Sequence, residues 1–151
     1  MQQSMVTSQR SKGMKLKGRG CSSGMVEAEA IVSKKPFGFW QGIDTQTGVV
    51  IDRRHDLFGE SVKGKVFVFP YGRGSTGTPG IFVEAVRNHV APAAIINLKS
   101  EPMITVCALL AEEFYGVKIP IVDGLDLDHL SQIRTGNRVK INGETGEIEI
   151  L

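Results

Sequence analysis

The sequence predicts an α/β domain built around a central parallel βαβαβ unit, with flanking strands and a closing hairpin. Two observations predict it. Three short apolar runs, residues 66–69, 93–97 and 118–122, alternate with two segments of helical periodicity. At the C-terminus, residues 137–141 and 146–150 alternate apolar and polar around Asn142-Gly143, the pattern of a hairpin.

Composition bounds the function before any motif is read. At 151 residues, with 41% hydrophobic and 23% charged residues, the chain has the size and balance of one soluble domain with one core. A net charge of +2 with dispersed basic residues, and 7% aromatics without basic interleaving, argue against nucleic acid as a partner. No run reaches membrane-spanning length and no apolar signal core follows the first charges, so the expectation is a cytoplasmic protein with no membrane partner. Cys21 and Cys107 have no spacing that suggests a metal or redox pair.

Residues 1–17 are polar without periodicity and read as a disordered start, leaving 18–151 as the folded domain. Gly18-Arg-Gly-Cys-Ser-Ser-Gly24 echoes a later loop, but no helix signal follows it, and the echo reads as coincidence. Val26 to Val32 alternates for most of its length and reads as a half-buried strand. The loop from Pro36 to Gly48 carries Phe37, Phe39 and Trp40, which either plug the sheet or meet a partner. Gly48 to Asp52 reads as a short strand, and Arg53-Arg-His-Asp56 as a solvated turn rather than an anion site.

Val66 to Phe69 is β-branched and aromatic, the composition of a covered strand, and Pro70 ends its ladder. Gly72-Arg-Gly-Ser-Thr-Gly77 follows, with Thr78 expected as N-cap and Pro79 in the first turn of a helix. That helix shows Ile81, Phe82, Ala85 and Val86 on one face, and His89 suits its carbonyl end. After the buried run 93–97, Ser100-Glu-Pro102 opens a second helix with Ile104, Cys107, Ala108, Ala111 and Phe114 as its apolar face, ending at Gly116. Cys107 therefore reads as a core thiol. Asp126, Asp128 and His129 cluster, but loop carboxylates are common and a metal is not the expected reading.

The loop at 72–77 is the candidate site. A glycine-rich turn between a strand end and a helix N-terminus offers bare N–H groups and the positive end of the helix dipole to an anion. Ser75 and Thr76 place hydroxyls there, beside Arg73, Gly74 and Gly77. Gly72-x-Gly74-x-x-Gly77 spells a dinucleotide fingerprint, yet the following strand ends in Asn97-Leu-Lys-Ser100, without the carboxylate that would hold a ribose.

Phe39-Trp-Gln-Gly-Ile-Asp44, Thr47-Gly-Val-Val-Ile-Asp52, Gly59-Glu-Ser61 and Gly64-Lys-Val66 come in a recognisable order. Phe69-Pro-Tyr-Gly-Arg-Gly-Ser-Thr76, Ala91-Pro-Ala-Ala94, Glu101-Pro102 and Ile119-Pro-Ile-Val122 continue it. Together they make the chain resemble the small, swivelling subunit of the aconitase X family, from about Gly18 to Leu151.

This resemblance implies a swivelling β/β/α domain that closes over a separate large subunit. It implies that the iron–sulfur cluster sits on that large subunit's cysteines, with no cofactor bound by this chain. It implies a hydro-lyase, inactive as this chain alone, that removes water from a small hydroxy acid, with Ser75 as proton acceptor. Family substrates are phosphomevalonate in archaeal members and cis-3-hydroxy-L-proline in bacterial ones. Archaeal loops read Gly-Ser-Thr-Val-Gly-Ser where this chain has Gly-Ser-Thr-Gly-Thr-Pro, and the composition lacks hyperthermophile bias. The expected substrate is therefore cis-3-hydroxy-L-proline, with phosphomevalonate as the alternative. A reading of another class makes the Gly72 to Thr78 loop a non-catalytic anion-binding module. The fixed hydroxyl of Ser75 separates the two, because an anion nest needs glycines but no serine. Arg73, Gly74, Thr76 and Gly77 are the expected substrate-binding residues, with Arg73 poised to grip a carboxylate.

Overall fold

Four parallel strands form the centre of the molecule. The computed structural model describes residues 13–151. Its strands are β1 (Met14–Lys17), β2 (Arg19–Ser22), β3 (Met25–Val32), β4 (Val66–Val68), β5 (Ala94–Ile96), β6 (Ile121–Asp123), β7 (Arg138–Asn142) and β8 (Glu147–Ile150). The helices are α1 (Thr78–Arg87), α2 (Pro102–Tyr115) and α3 (Leu127–Leu130). Among the described residues the strands make one eight-stranded sheet ordered β1-β8-β7-β3-β4-β5-β6-β2. β3 to β6 run parallel and the remaining pairs are antiparallel.

The central strands are apolar throughout because both of their faces are covered. Every residue of β4, β5 and β6 is buried. Alternation along β4 sends Phe67 into one core, with Phe37, Phe39, Phe82 and Ile104, while Val66 and Val68 join Val139, Ile148 and Leu130 in another. Helices α1 and α2 cover the aromatic side. There Phe37 meets Phe67 edge-on with ring centroids 4.9 Å apart, and Phe39 meets Phe82 at 5.0 Å. The aromatic loop therefore plugs the sheet with its two phenylalanines, at 1% and 0% exposure, and leaves Trp40 47% exposed.

Several local expectations are corrected. The folded part begins earlier than a disordered start over 1–17 predicts: residues 1–12 lie outside the described residues, but 14–17 form β1, paired from Met14↔Ile150 to Lys17↔Glu147. Met-Lys-Leu-Lys alternates, and its Leu16 is buried. The segment 48–52 forms only isolated bridges, Ile43↔Val50 and Val49↔Ser61. Phe114 is 63% exposed, off the buried face of α2, which holds Ile104, Cys107, Ala108 and Ala111. The hairpin turn spans 143–146, wider than Asn142-Gly143, with Asn142 Oδ1 accepting the Glu144 and Thr145 N–H groups. The echo at 18–24 holds an edge strand, β2, with a register shift between Gly20 and Ser22.

Candidate functional site

Because β3 to β6 are parallel, their carboxyl ends open on one edge of the sheet, where ligand sites of such folds lie. The loop after β4 occupies that edge. Tyr71 bridges to Lys99 on one side and Gly72 to Phe37 on the other, so the loop leaves the sheet as a short strand extension. Arg73 N–H donates to the Phe37 carbonyl at 2.9 Å, which fixes where the turn begins.

Ser75 is half-buried and Thr76 exposed. The Ser75 carbonyl accepts the Thr78 N–H at 3.0 Å and its Oγ accepts the Gly77 N–H at 3.3 Å. The N-cap is Gly77, with no side-chain cap, and Thr78 is the first helical residue, buried with its Oγ1 unpartnered. Thr78 was expected as the cap; instead the local serine turn engages the first donors of α1. Among the described residues the N–H groups of Gly74, Ser75 and Thr76 have no acceptor. Three consecutive bare donors ahead of a helix N-terminus favour an anion.

Two glycines of the loop are closely approached by side chains from other segments. A Cβ on Gly77 would fall 2.2 Å from Cδ1 of Trp40, and one on Gly74 would fall 2.9 Å from Oε1 of Glu101. Trp40 and Glu101 thus press on the loop at two points. A cleft of about 380 Å³ opens in front of it, lined by Gly38, Trp40, Gln41, Asp52, Arg54, Arg73, Gly74 and Ser75. Arg73 makes no ion pair among the described residues, while Arg54 approaches Asp52 at only 4.0 Å. The expected set of Arg73, Gly74, Ser75, Thr76 and Gly77 is therefore contiguous. The sequence reading missed Trp40, Arg54 and Glu101 as its neighbours, since each reaches the loop from another segment.

Other polar groups of this edge hold structure. Arg19 grips the buried Asp123 bidentately at 2.9 and 2.8 Å, and the Ser100 N–H donates to the same carboxylate at 2.8 Å. Burial pushes the Asp123 carboxyl up, but Arg19 and Ser100 outweigh it and hold its pKa below the ordinary value. His55 is buried, not solvated as the turn suggested: its Nε2 lies 3.2 Å from Ser33 Oγ. Ser33 donates to Asp56 at 2.7 Å, and its Oγ also accepts the Lys35 N–H. With Ser33 only 2% exposed, this serine, histidine and aspartate clasp the exit of β3 to the turn at 53–56. Asp126 caps α3 through the His129 N–H at 2.8 Å and meets His129 Nδ1 at 2.6 Å.

Among the described residues no three His, Cys, Asp or Glu side chains gather to hold a metal ion. Cys107 is buried in α2 with its thiol pushed up to about 12, by burial first and then by the nearby Glu101, while Cys21 lies on β2. A cluster needs thiolates, so these residues do not fit an iron–sulfur group. No helix among the described residues is long and apolar enough to cross a membrane.

The family model described as Aconitase X swivel domain matches residues 15–150. A phosphomevalonate dehydratase small subunit from Pyrococcus abyssi is 46% identical over 138 residues, covering 91% of this chain and 99% of the relative. A protein of the same name from Methanosarcina mazei is 42% identical over 138 residues, covering 91% and 92%. The crystal structure of Thermococcus kodakaraensis aconitase X in its holo-form superposes with a TM-score of 0.83 at 40% identity, covering 92% of this chain and 99% of that one.

Proposed function

The chain belongs to the aconitase X swivel-domain family, and from that premise we propose that it is the small subunit of a phosphomevalonate dehydratase with Ser75 as the base. The observation that carries this reading is the loop itself. It sets one serine hydroxyl beside three bare N–H groups, with Arg73 and Arg54 lining the same cleft. Dehydration of a β-hydroxy acid needs a base for the α-proton. A serine serves only if its alkoxide is stabilised, and oriented N–H donors with nearby guanidinium groups supply that stabilisation.

Two guanidinium groups suit a substrate with two anionic ends, a carboxylate and a phosphate. Cis-3-hydroxy-L-proline has one carboxylate and a cationic ring nitrogen. Support for phosphomevalonate comes from the names of the relatives as well, and the loop's departure after Thr76 loses its weight as a substrate signal. Glycine at 77 is explained by the approach of Trp40 rather than by the substrate. The iron–sulfur cluster, in this reading, belongs to the large subunit.

The test is turnover by the pair reconstituted with its large subunit, assayed on both compounds. Water loss from phosphomevalonate is expected, with none from this chain alone. Activity confined to cis-3-hydroxy-L-proline would reverse the substrate, and turnover by the isolated chain would end the subunit reading.

A further inference from the structure

Beside the loop lies a carboxyl group that the fold does not use. Glu101 stands at the N-cap of α2 but makes no capping bond to it. Among the described residues it enters no ion pair, and its buried Oε2 has no hydrogen-bond partner. A buried acceptor without a donor is uncommon and costs stability unless a function uses it.

Its position is closely set. The Ser100 N–H is held by Asp123 at 2.8 Å, and the Ser100 hydroxyl donates to Asn97 Oδ1 at 3.3 Å. Lys99 bridges to Tyr71. The turn leading to Glu101 is thus pinned to β5 and β6, and the carboxyl lies against Gly74, with Oε1 and Oε2 at 2.9 and 3.2 Å from that glycine's Cβ position. Ser75 is the next residue, its Cα about 3.8 Å along the chain. Its Oγ accepts from the Gly77 N–H, and its own hydrogen has no acceptor among the described residues. A donor lacking an acceptor thus lies one residue along the chain from the glycine that an unpartnered acceptor touches.

We propose that Glu101 is the relay residue that takes the hydroxyl proton of Ser75, directly after a small shift of the loop or through one bridging water. This rests on the reading of Ser75 as the base. The protons balance over one turnover. The Ser75 O–H bond breaks as a proton joins Glu101, leaving an alkoxide facing the Gly77 N–H. The alkoxide takes the substrate's α-proton, restoring the hydroxyl, while the electron pair of the C–H bond forms the double bond and expels hydroxide. The proton on Glu101 then combines with that hydroxide as water.

The groups around Glu101 leave this step open. Cys107, on α2, stays a neutral thiol with its pKa at about 12. Arg73 and Lys99 make no ion pair with Glu101, and Asp123 is engaged by Arg19.

The experiment is the pH profile of kcat for Glu101→Gln, Glu101→Asp and Ser75→Ala in the reconstituted complex. Glu101→Gln keeps the volume against Gly74 and should lower kcat by about tenfold to a hundredfold with KM within about twofold. It should also abolish the loss of rate at acid pH that protonation of a carboxylate causes. Glu101→Asp, which keeps a titrating group, should retain that acid limb with intermediate kcat, and it decides the matter if the Gln variant does not assemble. Normal kcat in Glu101→Gln, or reduced kcat with the acid limb intact, overturns the relay. Ser75→Ala separates the two levels: if it is active, the base itself was misassigned. If it is inactive while Glu101→Gln is normal, the relay alone falls.

Discussion

The indole of Trp40 lies so close to Gly77 that a Cβ there would sit 2.2 Å from its Cδ1 and 2.4 Å from its Nε1. One exposed aromatic from the plug loop is thereby locked to the helix entry behind Ser75. Gly77→Ala must displace both, the indole outward and the helix entry with it. Trp40 emission should shift to the red, and kcat should fall on the order of tenfold to a hundredfold as the loop is misplaced. An unchanged spectrum with full activity would show that the contact does not position the loop.

Three side chains of the loop should separate by role. Ser75→Ala should lower kcat by at least about a hundredfold with little change in stability. Thr76 is exposed and caps nothing, so Thr76→Ala should leave both folding and kcat near wild type. Arg73→Lys should raise KM, because an ammonium cannot make the paired contact with a carboxylate or phosphate. Steady-state kinetics on the reconstituted complex reads all three. Full activity in Ser75→Ala with loss in Thr76→Ala would mean that the wrong hydroxyl was named.

The plug loop should divide between stability and assembly. Phe39 is fully buried among Phe37, Phe67, Phe69 and Phe82. Phe39→Ala should cost about 3–5 kcal/mol in urea unfolding. Trp40→Ala should cost far less. As the only tryptophan, Trp40 should shift its emission to the blue when the large subunit binds, since it lines the cleft that the partner would close. Equal destabilisation by both variants would contradict this division.

Asp123 should contribute to the acid limit of the fold. Its folded pKa lies below the ordinary carboxylate value, so its contribution is present above the unfolded pKa, near 4, and is lost as pH falls through the folded one. Arg19→Met removes the cation and should move the acid unfolding midpoint to higher pH, while stability near pH 9 changes least in slope. Circular dichroism against pH gives the midpoint, and an unshifted curve would show that Arg19 is irrelevant to it.

What the sequence reveals here is local. Val66 to Phe69 and the face Ile104, Cys107, Ala108 declare strand and helix through composition and period, and the Ser75 loop is legible because glycines and hydroxyls follow a strand. β1 and β2 do not stand out because Leu16 and Cys21 are too few apolar positions among polar neighbours; their partners, β8 and β6, lie about 100 residues or more away. Glu101 and Trp40 were invisible as site residues for the same reason. Each reaches the Ser75 loop, at Gly74 or Gly77, only after β4 and β5 pair, or after Phe37 and Phe39 enter the core, and no spacing in the chain encodes that meeting.

β1 and β2 occupy opposite ends of the strand order, yet Gly18 alone separates them in the chain. A sheet whose two outer strands are joined by one residue is forced to curl until its rims meet, and the Gly18 N–H completes the junction on Gly146 at 2.8 Å. Among the described residues β1 pairs only with β8 and β2 only with β6, so both rims keep one open side and are short. The hairpin half and the parallel half are also tied together at both sides of the ring, at β3–β7 and at Gly18. These two ties should make the halves move together in any swing that carries Ser75 toward a partner.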